Sequence, residues 1–126
     1  MTKQQIKVDT YWEVIVYYDV DDSLFHYIQE DLENLNTVNK TIDNIRNIIA
    51  SRKVKAVTLN NEKQHKSIIL FSRHRTKRNY INSIVHEADY VKQSMLKAYS
   101  VNNKGENSAY TIGYLVSKMW EVFKHI

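Results

Sequence analysis

The chain contains no proline, and its only glycines are Gly105 and Gly113. Average usage is about 5% proline and about 7% glycine, and these two residues punctuate most tight turns. A chain of 126 residues so short of both is expected to fold into long regular elements with few sharp reversals. Asn, Lys, Ile and Tyr are abundant, so an AT-rich genome explains the shortage equally well.

The hydrophobic pattern supplies the elements. Residues 1–10 are polar and read as a tail or lead-in. Tyr11 to Tyr18 is aromatic and β-branched, the composition of a strand. Asp19 to Ser23 offers several N-caps. Leu24, Phe25, Ile28, Leu32 and Leu35 then share a helical face. Asn34 to Asn39 reads as a break, and Val38, Ile42, Ile45, Ile48 and Ile49 form a second stripe. Two helices or one kinked helix satisfy this pattern. Val54 to Leu59 and Ser67 to Phe71 read as strands around the turn Asn60 to Gln64, which predicts a hairpin whose second strand is buried on both faces.

Thr76 is a candidate N-cap for a long central helix. Its expected apolar face is Ile81, Ile84, Val85, Ala88, Val91, Met95 and Tyr99. Ser100 to Lys104 reads as a polar loop, and Gly105 supplies the conformational freedom it needs. The last helix starts at Glu106, with Ala109, Gly113, Val116, Trp120 and Phe123 spaced by four and three, and Ile112, Leu115 and Met119 widening the stripe. Glycine inside a helix costs about 1 kcal/mol relative to alanine, so a close contact at Gly113 is expected. The order predicts a single α+β domain over 1–126, with about three strands packed on helices.

Composition bounds the function. Apolar residues make up 43% and charged residues 25% of the chain, ordinary for a globular domain. The absence of cysteine excludes disulfides and thiolate metal sites. No signal-peptide h-region and no membrane span is visible, so no membrane partner is expected. The net charge of +4 permits nucleic-acid contact without indicating it.

The central helix carries His86-Glu87-Ala88-Asp89-Tyr90. In a His-Glu-x-x-His helix, residues i and i+4 share a face, so two imidazoles hold one zinc while the glutamate polarises its water. Here the first ligand and the base are present, and Tyr90 stands at the second ligand position. Neutral tyrosine, with a pKa of about 10, is a poor zinc ligand. Zinc could lower that pKa, and Asp89 is a second conceivable substitute.

The Ile-Val-His-Glu approach, the short loop and the following Glu-x-x-Ala-Tyr-x-x-Gly-Tyr-Leu resemble a family of small zincin-like proteins encoded by phages of Bacteroidetes. The likeness is close over 81–116 and architectural over 11–72. It implies a zincin-like fold in which His86 and Glu106 are metal ligands, Glu87 is the catalytic base, and Tyr110 and Gly113 are packing positions. Tyr90 departs from the pattern. The resemblance therefore implies a non-catalytic phage structural or assembly protein without a cofactor, such as a tail or portal-associated ring subunit. Its partners would be copies of itself or other phage proteins, in the virion or the host cytoplasm. The alternative is a divergent zinc metallopeptidase acting during infection.

Arg73, Arg75, Lys77 and Arg78 form a basic run around His74. It reads as a solvated loop or as an anion site for nucleic-acid phosphate or an acidic protein face; the phosphate reading makes a small nucleic-acid-binding protein a third possibility. Trp12 and its aromatic neighbours are expected in the core rather than on a base-stacking platform. His26, His65, His74 and His125 show no convergent spacing and are expected to be exposed.

Overall fold

The computed structural model describes residues 1–9, 11–52, 54–74, 76–99 and 106–125, with 106–108 described by backbone alone. The elements are β1 (Thr2–Lys7), β2 (Glu13–Tyr18), α1 (Phe25–Asn34), α2 (Asn39–Ser51), β3 (Ala56–Asn61), β4 (Lys66–Phe71), α3 (Lys77–Ala98) and α4 (Glu106–Phe123). The fold is α+β, built on one mixed sheet of order β1-β2-β4-β3. Both outer pairs are antiparallel, and the central pair β2–β4 is parallel.

The sheet has four strands rather than three, because residues 2–7 are not a tail. They pair with β2 from Thr2 opposite Tyr18 to Lys7 opposite Glu13. Ile6 is the one buried residue of β1, which leaves little hydrophobic signal to read. Backbone pairing and side-chain ties hold the strand instead. Gln4 Nε2 donates to Lys118 O of α4 at 2.9 Å, and Lys3 pairs with Asp31 of α1 at 3.0 Å. Asp9 closes the β1–β2 turn by accepting from the backbone N–H groups of Tyr11 and Trp12, a local role suited to a short carboxylate.

Helices cover both sheet faces, which explains why Val14–Tyr18 and Ser67–Phe71 are buried without interruption. Ile15, Tyr17, Ile68 and Leu70 pack against Phe25, Ile28 and Leu32 of α1 and Ile42, Ile45 and Ile49 of α2. Val14, Val16, Tyr18, Ile69 and Phe71 pack against Ile84, Ala88, Val91 and Met95 of α3 and Leu115, Met119 and Phe123 of α4. Burying each large apolar side chain contributes roughly 1.5–3 kcal/mol. Trp12 is in the core as expected, and its Nε1–H donates to Ser67 Oγ at 3.1 Å.

Two distinct helices occupy 25–51. Asn36 adopts a left-handed backbone (φ 62°), and Thr37 N–H donates to Leu32 O at 3.1 Å. This is a helix stop for which asparagine is a common substitute for glycine. The expected hairpin forms between β3 and β4. Thr76 caps α3 by accepting from Asn79 N–H at 3.2 Å.

Three expectations about the helices fail. Ile81 and Val85 are exposed, because α3 turns Tyr80, Ile84 and Glu87 toward the protein. A Cβ at Gly113 would meet nothing within 4 Å, so no close contact selects glycine there. The buried line of α4 is Leu115, Met119 and Phe123, which turns Gly113 to solvent. No helix among the described residues is long and apolar enough to cross a membrane.

Candidate functional site

Helix α3 lies over β3 and beside α4, so its residues divide by angle around the axis. His86 is exposed. Tyr90, one turn on, is 45% exposed, and its ring meets the His86 ring edge-on at 4.7 Å. Glu87 is turned inward and only 3% exposed. It faces the Thr58 hydroxyl of β3 closely enough to be influenced by it. No formed hydrogen bond joins the two, and Thr58 Oγ1 is buried without a partner. Burial raises the Glu87 pKa, while the neighbouring His86 and Thr58 act in the opposite direction.

The remaining candidates do not complete a ligand set. Asp89 is bound to Lys92 Nζ at 2.9 Å and accepts from Gln93 Nε2 at 2.6 Å. The Lys92 hydrogen bond holds the Asp89 carboxyl below its ordinary pKa. Glu106 is the first residue of α4, and its side chain lies outside the described residues. Tyr110 is 77% exposed, so with the open Gly113 neither implied packing position on α4 is packed. Among the described residues, no three His, Cys, Asp or Glu side chains are grouped to hold a metal ion. His86 on the outer side, Glu87 sealed beneath and a phenol lying across the imidazole do not fit a zinc ion that all three would have to approach.

The basic run divides as well. Arg73 follows β4 with its side chain 86% exposed, and its Nε lies 3.8 Å from Asp19 Oδ1. Lys77 and Arg78 are exposed in the first turn of α3. Arg75 lies outside the described residues.

His74, expected at the surface, is 7% exposed. Its Nδ1 is 2.6 Å from Ser72 O and its Nε2 is 2.8 Å from Ser83 Oγ of α3. A carbonyl oxygen only accepts, so Nδ1 carries a proton and neutral Nε2 accepts from the serine hydroxyl. The ring stacks on Tyr80 at 4.1 Å, and burial lowers its pKa. His65 is also partly buried, stacked on Trp12 at 5.4 Å. His26 and His125 are exposed as expected.

The sequence reading missed Arg52 and Lys55, which the fold sets near Arg73. Their signal was a second basic stretch, 52–55, with nothing local to connect it to 73–78. Comparison with protein-family models, with curated proteins and with solved structures returns no match for this chain.

Proposed function

We propose that the chain is a non-catalytic structural or assembly module of phage type, in which a zincin-like helix pair serves packing rather than metal chemistry. The observation that carries this reading is the placement of Tyr90. At the position of the second ligand it packs edge-on against His86, while Glu87 is sealed under the helix. A base that activates a metal-bound water must reach it, and a carboxyl buried against Thr58 does not. The exposed Ile81 and Val85, one turn apart on α3, support self-association or contact with another particle protein, since apolar side chains in one region of a surface commonly mark interaction sites.

Zinc content per chain tests the reading, measured on protein purified without chelator and on the Tyr90→His variant. The native chain is expected to carry no stoichiometric zinc. The variant regains a His-x-x-x-His pair and, with Glu106 as the third ligand that the resemblance implies, is expected to take up about one zinc per chain. Stoichiometric zinc in the native protein favours the peptidase reading instead. Failure of Tyr90→His to bind any zinc removes the zincin-like part of the proposal.

A further inference from the structure

The fold brings the two basic stretches together. Ser72 N–H donates to Lys55 O at 3.0 Å, and Ser72 Oγ donates to Val54 O at 2.6 Å. These bonds pin the segment after α2, with Arg52 and Lys55, to the segment after β4, with Arg73. Between these segments and the turn after β2 lies a crevice of about 950 Å³. It sits at the carboxyl ends of the parallel strands β2 and β4, where open sheets containing parallel strands commonly take ligands.

Its lining is charged in both senses. Asp19, Asp21 and Asp22 share it with Arg52, Lys55 and Arg73. Each carboxylate has a partner on one oxygen and keeps its second oxygen as an acceptor. Asp22 takes Arg46 Nε at 3.2 Å, Asp21 accepts from Ser23 N–H at 2.9 Å and Ser23 Oγ at 3.0 Å, and Asp19 lies beside Arg73. Arg52 and Lys55 form no close ion pair among the described residues, and Arg52 acts on Asp21 only at longer range. The Arg73 side chain is 86% exposed against 35% for Asp19 and 45% for Asp22, and Asp21 is exposed as well. Lys77 and Arg78, outside the crevice lining, are exposed in the first turn of α3, where the helix dipole opposes positive charge. The folding of that turn gives no reason for them.

We propose that this crevice binds a nucleic-acid strand, with phosphates on Arg52, Lys55 and Arg73 and base or sugar donors on the aspartates. Guanidinium groups match phosphate oxygens in a forked geometry. An acidic protein face would satisfy the cations but meet three carboxylates in the same lining. A nucleic acid brings amino and hydroxyl donors along with its phosphates. The proposal stands independently of the metal motif on α3.

Fluorescence anisotropy with a labelled 20-nucleotide single strand, read over a series of salt concentrations, tests it on the full chain. The triple variant Arg52→Gln, Lys55→Gln, Arg73→Gln is compared with the charge-matched Lys40→Gln, Lys63→Gln, Lys124→Gln. All six side chains are exposed, and circular dichroism checks folding. The crevice variant is expected to bind about tenfold or more weaker. Its slope of log K against log salt should be shallower by about two, from three phosphate contacts at roughly 0.7 each. The control is expected to stay within about twofold of the native chain. Should the triple variant fail to fold, Arg52→Gln and Arg73→Gln must each reduce the slope by about 0.7. Equal weakening in both triple variants, absence of binding, or displacement of the strand by polyglutamate at equal charge would overturn the proposal.

Discussion

His74 holds the end of β4 to α3 through both ring nitrogens. Because burial lowers its pKa from 6.5, the unfolded chain binds this proton more readily than the folded one. The stability it contributes is therefore complete above pH 6.5 and is lost as pH falls from there through the folded value. Melting between pH 7.5 and 5.5 is expected to show a falling midpoint that is flatter in His74→Gln; an unchanged slope would remove His74 from the account. Nothing in the sequence around His74 marks it as buried, since it stands among cations. Its environment comes from Tyr80 and Ser83, one and two turns into the next helix. Glu87 behaves in the opposite sense. Its raised pKa makes the ionised form costly at neutral pH, a cost that fades as pH falls through the folded pKa toward 4.5.

Among the elements, α4 offers the cleanest test of helix physics. Gly113 lies inside the helix, exposed, with open space where a methyl would go. Gly113→Ala is expected to stabilise the protein by about 1 kcal/mol, read as an upward shift in chemical-denaturation midpoint. A loss of stability would reveal a contact at this position. The period of α4 was legible, but Val116 and Trp120 are only partly buried, whereas Leu115 and Met119 are fully buried. Spacing fixes a stripe's period and leaves its angle toward the core to tertiary packing. The strand β1 shows the complementary limit. Its residues are mostly polar and exposed, and lysines suit an edge that should not recruit further strands, so pairing with β2 was invisible to hydrophobic pattern.

At the scale of the whole molecule, the order of elements from β2 onward and the β3–β4 hairpin were readable from apolar periodicity. The direction of pairing between β2 and β4 was not. Both strands are continuous apolar runs, and that composition reports burial on two faces without fixing a neighbour. Their parallel pairing places Asp19 and Ser72 at the same end of the sheet and so creates the charged crevice. The metal motif was legible as residue types, while its geometry depends on β3 lying under Glu87.

That burial is the central claim, and carbon-13 NMR titration of the Glu87 side-chain carboxyl, with and without one equivalent of zinc, tests it most directly. The account predicts a pKa above 4.5 and a resonance that zinc leaves in place. A carboxyl that titrates in the ordinary range, or that shifts on stoichiometric zinc, would contradict it and restore Glu87 as a base in an accessible metal site.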